Sequence, residues 1–403
     1  MTTKPLPQGI ELTPLDESFR NDPYPILQRL REQAPVHHDT GLHRYVYTRH
    51  DHVRDILRDR EFWSDPRKAN PGTFTREFLG GDDDREPSML FMDEPGHRRL
   101  RSLVSASFTP GAVDRWRPRI RQVVARVLDA IDGQRFDLIE AFAGPVPTVV
   151  IAEMLGIDPA KHADFKRWSD QGVQVSFNPF ATDAEKAIAD AATAALDGFF
   201  AAEIETRRRA LGDDLISDMI RAEAGGDKLT EVEMVRQCNL LLVAGNVTTT
   251  DLIGNGVKAL LDHPQQLAKL RANPALIGNT VEEILRFDSP VVNSGRIANR
   301  EISIGGCPVG VGESLSVSLA AANRDPAAYP EPDRFDIERS DTHHQSFGGG
   351  RHLCLGAHLA RAEAQEAIIG LLQRFPNLRH GAGGHRYHAI PSFRGMSSFW
   401  VEV

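Results

Sequence analysis

Cysteine is scarce in this chain. The 403 residues include only three, Cys238, Cys307 and Cys354. Because this number is odd and the spacing is wide, we do not expect a disulfide framework. The sequence also lacks a CxxC pair, which argues against a structural zinc site.

Long apolar runs are lacking as well. No run approaches the ~20 residues that a helix needs to span a bilayer. The N-terminal stretch MTTKPLPQGIELTPLDESF has no hydrophobic segment after its lysine, so it does not resemble a secretory signal. We therefore expect a cytoplasmic protein that is not associated with a membrane.

An excess of positive charge is missing too. The 47 Lys and Arg are outnumbered by 56 Asp and Glu, giving a net charge of -9. Such a balance disfavours nucleic acid as a partner of the whole chain. Hydrophobic residues make up 41% of the sequence, enough for a sizeable core. We find no repeat, linker or shift in composition, so we predict one domain over residues 1–403.

Helical periodicity dominates the chain. One segment, residues 229–264, is apolar on most sides and predicts a long helix through the core. Alternating segments predict strands at PVHHD and RYVYTR, and a hairpin around Gly305-Gly306. Residues 62–88 are rich in Pro, Gly and Asp and predict a long loop. The expected fold class is mainly α with small β-sheets. Further helices are predicted at 21–35, 51–59, 94–108, 112–131, 137–155, 159–169, 181–211 and 357–375.

The stretch FGGGRHLCLG, residues 347–356, surrounds one of the rare cysteines with glycine. Glycine permits backbone geometry closed to other residues, so Gly348, Gly349, Gly350 and Gly356 suit N–H groups directed at the sulfur. A helix predicted from about Leu355 would favour a thiolate by its positive end. The simpler interpretation is a glycine-rich turn with a buried cysteine. The spacing F-x-x-G-x-H-x-C-x-G is too particular for that interpretation, and hydrogen bonds and dipoles at a sulfur stabilise charge and tune the potential of a metal.

This stretch resembles the haem-binding loop of the cytochrome P450 haem-thiolate monooxygenases. The resemblance implies a single-domain fold with haem b between a long core helix and the cysteine loop. It implies that Cys354 is the axial ligand of iron and that His352 binds a haem propionate. It further implies that Phe347 packs beside the thiolate and that Gly356 belongs to the haem-binding set.

Other motifs resemble the same family in the same order along the chain. PGHRRLR, with His97 and Arg101, and GRIAN, with Arg296, resemble segments that bind the propionates; charged hydrogen bonds suit carboxylates. EILR, with Glu283 and Arg286, resembles a helical Glu-x-x-Arg pair on one face. PDRF, with Arg334, resembles the segment that supplies a third charged partner, so we expect a buried carboxylate between two guanidiniums. The alternative for Glu283 and Arg286 is a solvated helix pair.

The long core helix would carry the oxygen chemistry. The resemblance places Ala244 and Gly245 opposite the iron and assigns the catalytic hydroxyl to Thr248. A hydroxyl in this position can bond back to a helix carbonyl and loosen the helix. Val247 departs from the family, which usually has Asp or Glu before the threonine. Asn246 and Asp251 are therefore candidates to take part in the chemistry, although Asn246 does not titrate.

The implied activity is insertion of one oxygen atom from dioxygen into a small to medium, mainly apolar substrate, by hydroxylation or oxidative dealkylation. Val247 keeps open two alternatives: a peroxide-driven oxygenase, and a haem protein of this fold that does not activate oxygen. A hydrolase with Cys354 as nucleophile would need a nearby base, and His352, two residues away, points elsewhere.

Electrons must reach the haem from outside, because the sequence contains no flavin, iron–sulfur or nucleotide fingerprint. The resemblance implies a ferredoxin and its reductase. Arginines concentrate near the haem side expected for such a partner, and a basic patch would steer an acidic protein; the alternative is a solvated helix face. These residues are Arg98, Arg99, Arg101, Arg115, Arg117, Arg119 and Arg121. Substrate contacts are expected at 62–88, 171–180, 241–248, 290–294 and 392–394, with Arg394 as a polar anchor.

Overall fold

The structure, a computed structural model, describes residues 5–79, 88–176, 180–223 and 229–403. These residues form mostly helices with small β-sheets, which confirms the predicted fold class. In chain order the helices are α1 (Glu17–Asn21), α2 (Tyr24–Gln33), α3 (His50–Arg58), α4 (Phe74–Leu79), α5 (Gly96–Ser105), α6 (Pro110–Asp129), α7 (Pro145–Met154), α8 (His162–Ser176), α9 (Asp183–Arg209), α10 (Leu215–Glu223), α11 (Glu231–Asp262), α12 (Pro264–Ala272), α13 (Ile277–Phe287), α14 (Leu319–Asn323) and α15 (Ala357–Arg374). The strands are β1 (Val36–Asp39), β2 (Arg44–Tyr47), β3 (Arg135–Asp137), β4 (Asn293–Ile297), β5 (Ile302–Ile304), β6 (Cys307–Val309), β7 (Ser314–Ser318), β8 (Arg379–Tyr387) and β9 (Met396–Glu402).

The chain divides into two compact units. The first contains residues 1–87, 255–354 and 386–397, and the second contains 88–254, 355–385 and 398–403. Each unit is therefore assembled from segments that lie far apart in the sequence. The single domain over 1–403 stays a prediction.

A four-stranded sheet of order β1-β2-β7-β4 organises the first unit. β7 pairs in parallel with β2 and antiparallel with β4, and all of its residues are buried, as expected for a central strand. Residues of α3 share an apolar core with this sheet, which fixes the end of α3 beside it: Val53, Ile56, Leu57, Tyr47, Leu315 and Val317. The predicted strands at β1 and β2 and the hairpin of β5 and β6 are confirmed.

The second unit holds most of α11, a helix of 32 residues. It begins after a capping box in which Thr230 and Glu233 bond each other's backbone amides, an arrangement that fixes helix starts. Buried side chains follow one another along its length, which confirms the predicted core helix. In the same unit β3 pairs with the end of β9, and β8 completes that sheet. None of the described helices is both long and apolar enough to cross a bilayer.

Several predicted boundaries were wrong. Asp137 ends β3, and a π-helical turn at Ile139–Ala143 precedes α7, so no continuous helix covers 137–155. The predicted loop 62–88 contains α4, while residues 80–87 lie outside the described residues. α15 begins at Ala357 with Gly356 as its N-cap, which confirms the helix predicted at 357–375 and lies two residues after the start expected near Leu355. The strands β8 and β9 were not predicted, since glycine interrupts the alternation of β8.

Candidate functional site

Consecutive glycines let the cysteine loop, residues 347–356, pack directly against the end of α3. Gly348 and Gly350 have φ values of 68° and 65°, a region that glycine tolerates and other residues rarely adopt. A Cβ atom on Gly350 would collide with the Leu57 carbonyl oxygen, and one on Gly349 would lie 3.2 Å from the Leu57 Cβ. The glycines thus serve a close contact of backbone with backbone.

The Cys354 side chain is exposed on the cysteine loop. The Cys354 N–H donates to the Phe347 carbonyl at 2.9 Å, and Cys354 itself is exposed. The Gly348 N–H donates to the Gln345 carbonyl at 2.8 Å, so this amide is not directed at the sulfur as the glycine pattern suggested. Cys354 stands two residues before Gly356, the N-cap of α15.

A buried ion cluster lies at the end of α13 in the same unit. The Arg286 guanidinium donates to both Glu283 carboxylate oxygens at 2.7 and 2.8 Å, and both side chains are fully buried. The Arg339 Nε lies 3.3 Å from the carboxylate, and the Asp336 N–H donates to it at 2.9 Å. The expectation of one carboxylate between two guanidiniums is met, and a solvated helix pair is ruled out.

The third charged partner was wrongly predicted. The Arg334 side chain is 54% exposed and pairs with Glu331 and Asp336 at 3.2 and 3.3 Å. It contributes only its carbonyl, which accepts a hydrogen bond from Arg286 at 3.1 Å. Arg339, five residues later, takes the place assigned to Arg334 because the intervening turn directs its guanidinium inward.

The ion cluster is connected to the start of the cysteine loop. The Arg286 guanidinium donates to the Asn323 carbonyl at 3.0 Å. The Asn323 amide group accepts from the Gln345 N–H at 2.7 Å and donates to the Ser346 hydroxyl at 2.8 Å. That hydroxyl donates to the Leu285 carbonyl at 2.6 Å. The buried ion cluster and the residues directly before the cysteine loop therefore belong to one continuous hydrogen-bond network.

The middle of α11 has one open side. Ala244 is exposed although most neighbouring residues of the helix are not, and a Cβ on Gly245 would meet nothing within 4 Å. The Thr248 hydroxyl donates to the Ala244 carbonyl at 2.7 Å, the back-bond expected from the sequence. Val247 is half-buried, and Asp251 is buried about one turn beyond Thr248.

Asn246 faces away from this open side. It is 2% exposed and engages both ends of its amide. Its Oδ1 accepts from the Thr148 hydroxyl at 2.9 Å, and its Nδ2 donates to the Ser169 hydroxyl at 3.2 Å. The side chain thus ties α11 to α7 and α8.

The basic residues expected to bind propionates lie on separate elements. His97 and Arg101 share α5, where His97 is buried and its Nδ1 lies 3.8 Å from a Glu94 carboxylate oxygen. Arg296 is buried on β4 and donates to the Gly295 carbonyl at 2.7 Å. His352 ends a short turn that precedes Cys354. The first unit thus carries Arg296, Phe347, His352 and Cys354, and the second carries His97, Arg101, residues 244–251 and Gly356.

These residues fit a haem with a thiolate ligand. An exposed thiol before a helix is available to iron, and imidazole and guanidinium groups match the carboxylates of the propionates. The opening at Ala244 and Gly245 leaves room beside a threonine hydroxyl.

Most arginines of the predicted basic patch are neutralised by carboxylates. Arg99 pairs with Glu233, while Arg117 and Arg121 share Glu366 at 3.1 and 2.8 Å. Arg119 pairs with Glu153 at 2.5 Å. Arg119 and Arg121 stay exposed although they are paired. Arg98 is 80% exposed and lies 3.3 Å from a Glu94 carboxylate oxygen, and Arg115 is exposed.

A second buried charge cluster was missed by the sequence. Asp288, the C-cap of α13, accepts hydrogen bonds from the Arg394 Nε at 2.6 Å and from the Tyr24 hydroxyl at 2.7 Å. Burial pushes the pKa of Asp288 upward, but Arg394, the Tyr24 hydroxyl and Arg324 outweigh it and leave the pKa lowered. Arg394 also donates to the Arg20 carbonyl at 2.8 Å. The expectation that Arg394 anchors a substrate was therefore wrong, because its guanidinium is committed to this cluster.

The other expected substrate contacts are placed only in part. Residues 80–87 and 177–179 lie outside the described residues, so the segments 62–88 and 171–180 are incomplete. Val291 forms an isolated β-bridge with Phe393, which joins the expected segments 290–294 and 392–394 within the first unit.

Comparisons with known proteins agree with these features. The family model described as Cytochrome P450 matches residues 41–378. The chain is 37% identical to the cytochrome P450 monooxygenase PikC of Streptomyces venezuelae, over 98% of this chain and 94% of that protein. It is 38% identical to the biotin biosynthesis cytochrome P450 of Bacillus subtilis, over 95% of this chain and 96% of that protein.

A solved structure shares the fold. The crystal structure of P450BioI in complex with hexadec-9Z-enoic acid ligated acyl carrier protein superposes with a TM-score of 0.87. It is 36% identical and covers 96% of this chain and 100% of its own.

Proposed function

Since the chain belongs to the cytochrome P450 family of haem b monooxygenases, we propose that it inserts one oxygen atom from dioxygen into a small to medium, mainly apolar organic substrate. The products would be those of hydroxylation or oxidative dealkylation. The observation that carries the proposal is the open side of α11, where Ala244, Gly245 and the Thr248 hydroxyl stand together. Haem bound through a thiolate supplies the oxygen-activating chemistry.

We assign the ligand of iron to Cys354 and the propionates to His97, Arg101, Arg296 and His352. Phe347 would shield the thiolate, and Gly356 would leave space at the start of α15, where an added Cβ meets nothing within 4 Å. Replacing Cys354 by Ser leaves a hard, weak oxygen donor. The reduced carbon monoxide complex of the wild type should show the red-shifted Soret band of a thiolate, and Cys354→Ser should lose it. A variant that keeps the band would refute the assignment.

Proton supply is the feature in which this site differs from the family. Val247 cannot relay protons, and Thr248 with Asp251 are the polar groups of this helix face. We expect Thr248→Ala to divert reducing equivalents to hydrogen peroxide, and Asp251→Asn to slow turnover more modestly. The measurement is product formed per reducing equivalent. If both variants form as much product per reducing equivalent as the wild type, that is, remain fully coupled, proton delivery does not run through this face of α11.

A peroxide-driven oxygenase is the second candidate, and Val247 is the observation that favours it. Peroxide brings its own protons and electrons, so an acid beside Thr248 is less needed. Product formation with hydrogen peroxide should be compared with product formation by a surrogate ferredoxin and reductase at equal haem concentration. Turnover with peroxide alone would establish this candidate and remove the need for a redox partner.

We propose a ferredoxin and its reductase as the electron donors, and the cytoplasmic location stays a prediction. With most of the arginine patch neutralised, Arg98 and Arg115 are the residues left to steer an acidic partner. Neutralising both should slow ferredoxin-driven turnover at low salt and matter little at high salt, because exposed charges are screened beyond ~8 Å at physiological ionic strength. Arg121→Ala, which removes an arginine already paired with Glu366, is the control.

The substrate should be sought by spectral titration. A panel of apolar compounds that displace water from haem would shift the Soret band on binding. The acyl carrier protein complex of P450BioI supports the inclusion of long-chain fatty acids, free and carrier-bound, in that panel. A panel member that shifts the band and is then converted to an oxygenated product identifies the substrate class.

A further inference from the structure

The middle of α11 is anchored on the side opposite Thr248. At 3.6 residues per turn, Asn246 lies about 160° around the helix from Thr248. Its three-residue node with Thr148 and Ser169 is almost free of solvent, since these residues are 2%, 2% and 0% exposed. Buried side-chain amides make such bonds at a defined distance and direction. The node therefore fixes how α11 is rotated relative to α7 and α8.

This turn of α11 has features that weaken a helix locally. The Thr248 hydroxyl donates to the Ala244 carbonyl, and the Thr250 hydroxyl donates to the Asn246 carbonyl at 2.9 Å. Back-bonds of this kind compete with the helix ladder and bend helices. Gly245 adds backbone freedom at the same place. The open side of the helix therefore combines two back-bonds with a glycine.

A second tie holds the neighbouring flank. Thr249, about 100° from Thr248, is 2% exposed and donates a hydrogen bond to Glu363 on α15. Asn246 and Thr249 thus tie two flanks of this turn of α11 to α7, α8 and α15.

We propose that Asn246 is a positioning residue that, through Thr148 and Ser169, holds the α11 turn so that the Thr248 hydroxyl stays aligned for oxygen chemistry. This inference rests on the proposed function. It replaces a direct role of Asn246 in proton transfer, because both ends of its amide are engaged away from the open side. The Val247 departure makes the alignment more important, since the residue directly before Thr248 is not an acid that could compensate for a misplaced hydroxyl.

The test uses Asn246→Leu in the haem-loaded enzyme, which keeps the number and branching of the side-chain heavy atoms and removes both hydrogen bonds. We expect product per reducing equivalent to fall at least about fivefold, because each lost hydrogen bond is worth about 1 kcal/mol. Hydrogen exchange at the amides of residues 244–250 should accelerate by about the same factor. The carbon monoxide band of the thiolate should be unchanged. Thr148→Val should reproduce part of the effect and add little in the double variant, since partners of one bond are not additive.

Asn239→Leu is the matched control. Asn239 also lies on α11 and donates to Asp197 of α9 at 2.5 Å, so its loss loosens the helix away from the open side. We expect it to leave coupling unchanged. If Asn246→Leu stays coupled, or loses coupling without faster exchange at 244–250, the positioning role is refuted. Should the wild type form no product with any oxidant, the proposed function fails, and the exchange rates at 244–250 still decide whether Asn246 anchors the turn.

Discussion

Two buried carboxylates stand five residues apart at the end of α13, and their surroundings differ. Glu283 is held by two guanidiniums and a backbone amide, within a network that reaches the cysteine loop through Asn323. Asp288 is held by one guanidinium and a tyrosine hydroxyl, and Arg394 continues to the Arg20 carbonyl near the start of the chain. The first cluster supports the cysteine loop, whereas the second joins distant segments of the fold. Damage to the first should therefore affect haem binding and stability together, and damage to the second should affect stability alone.

The largest effect is expected from Glu283→Gln. It leaves Arg286 and Arg339 buried without their counter-charge, and breaking a buried ion pair from one side costs about 3–5 kcal/mol. Urea unfolding should show this loss of stability. The fraction of protein with thiolate-bound haem, read from the Soret band of the reduced carbon monoxide complex, should fall as well. Glu331→Gln, at an exposed carboxylate paired with Arg334, is the control and should change neither. A Glu283→Gln protein within about 1 kcal/mol of the wild type would show that the cluster is not required.

Asp288→Asn should cost less, about 2–3 kcal/mol, because Arg394 keeps backbone acceptors. The lowered pKa of Asp288 means that its contribution is present above the ordinary carboxyl pKa of about 4 and is lost as the pH falls through the folded value. The difference in the free energy of unfolding between the wild type and Asp288→Asn should therefore become smaller at acidic pH. Denaturation at several pH values, with the thiolate band recorded on each sample, checks both points. If Asp288→Asn lost the thiolate band, the Asp288 cluster would also affect haem binding, and the proposed difference between the two clusters would be wrong.

Arg339→Ala and Arg334→Ala separate the two candidates for the third charged partner. Arg339 is mostly buried against Glu283, so its removal should cost about 1–3 kcal/mol. Arg334 is exposed, and its removal should stay within about 0.5 kcal/mol. Thermal and urea unfolding of the two variants, measured under the same conditions, compares their losses of stability. The reverse ranking would restore Arg334 to the cluster.

An effect of opposite sign is expected at a buried carboxyl, Glu363. No cation pairs with Glu363 in the described residues, and burial, opposed only by the Thr249 hydrogen bond, raises its pKa well above the usual range. The folded state then holds a proton that the unfolded state releases, so stability falls by up to about 1.4 kcal/mol per pH unit between the two pKa values. Glu363→Gln should remove this pH dependence. Its free energy of unfolding, compared with that of the wild type at the same pH, should be more favourable at pH 8 than at pH 5.

The control for Glu363 lies on the same helix. Glu366 is paired with Arg117 and Arg121, so Glu366→Gln should not gain stability as the pH rises. Unfolding curves of both variants between pH 5 and 8 make the measurement. Equal pH profiles for wild type and Glu363→Gln would show that Glu363 is ionised in the folded protein.

The sequence located features whose parts are close together in the chain. The spacing of Glu283 and Arg286, the residues around Cys354 and the periodicity of α11 are local patterns, and each led to the correct element. It could not choose between Arg334 and Arg339, because the shape of one turn decides which side chain points inward. The Asp288 cluster escaped notice because Tyr24, Asp288 and Arg394 come from three distant segments and share no spacing. The partners of Asn246 on α7 and α8 were hidden for the same reason.

The contact between the cysteine loop and the end of α3 has a consequence for biosynthesis. The Arg351 guanidinium donates to the Phe62 carbonyl across a separation of 289 residues, and Gly349 and Gly350 rest on Leu57 nearby. The surface that shapes the loop is thus translated early, and the loop itself is translated late. Contacts of such long sequence separation form slowly, because a large loop must close first. The Cys354 loop can take its final geometry only after most of these residues have been translated, so we expect cofactor capture late in folding.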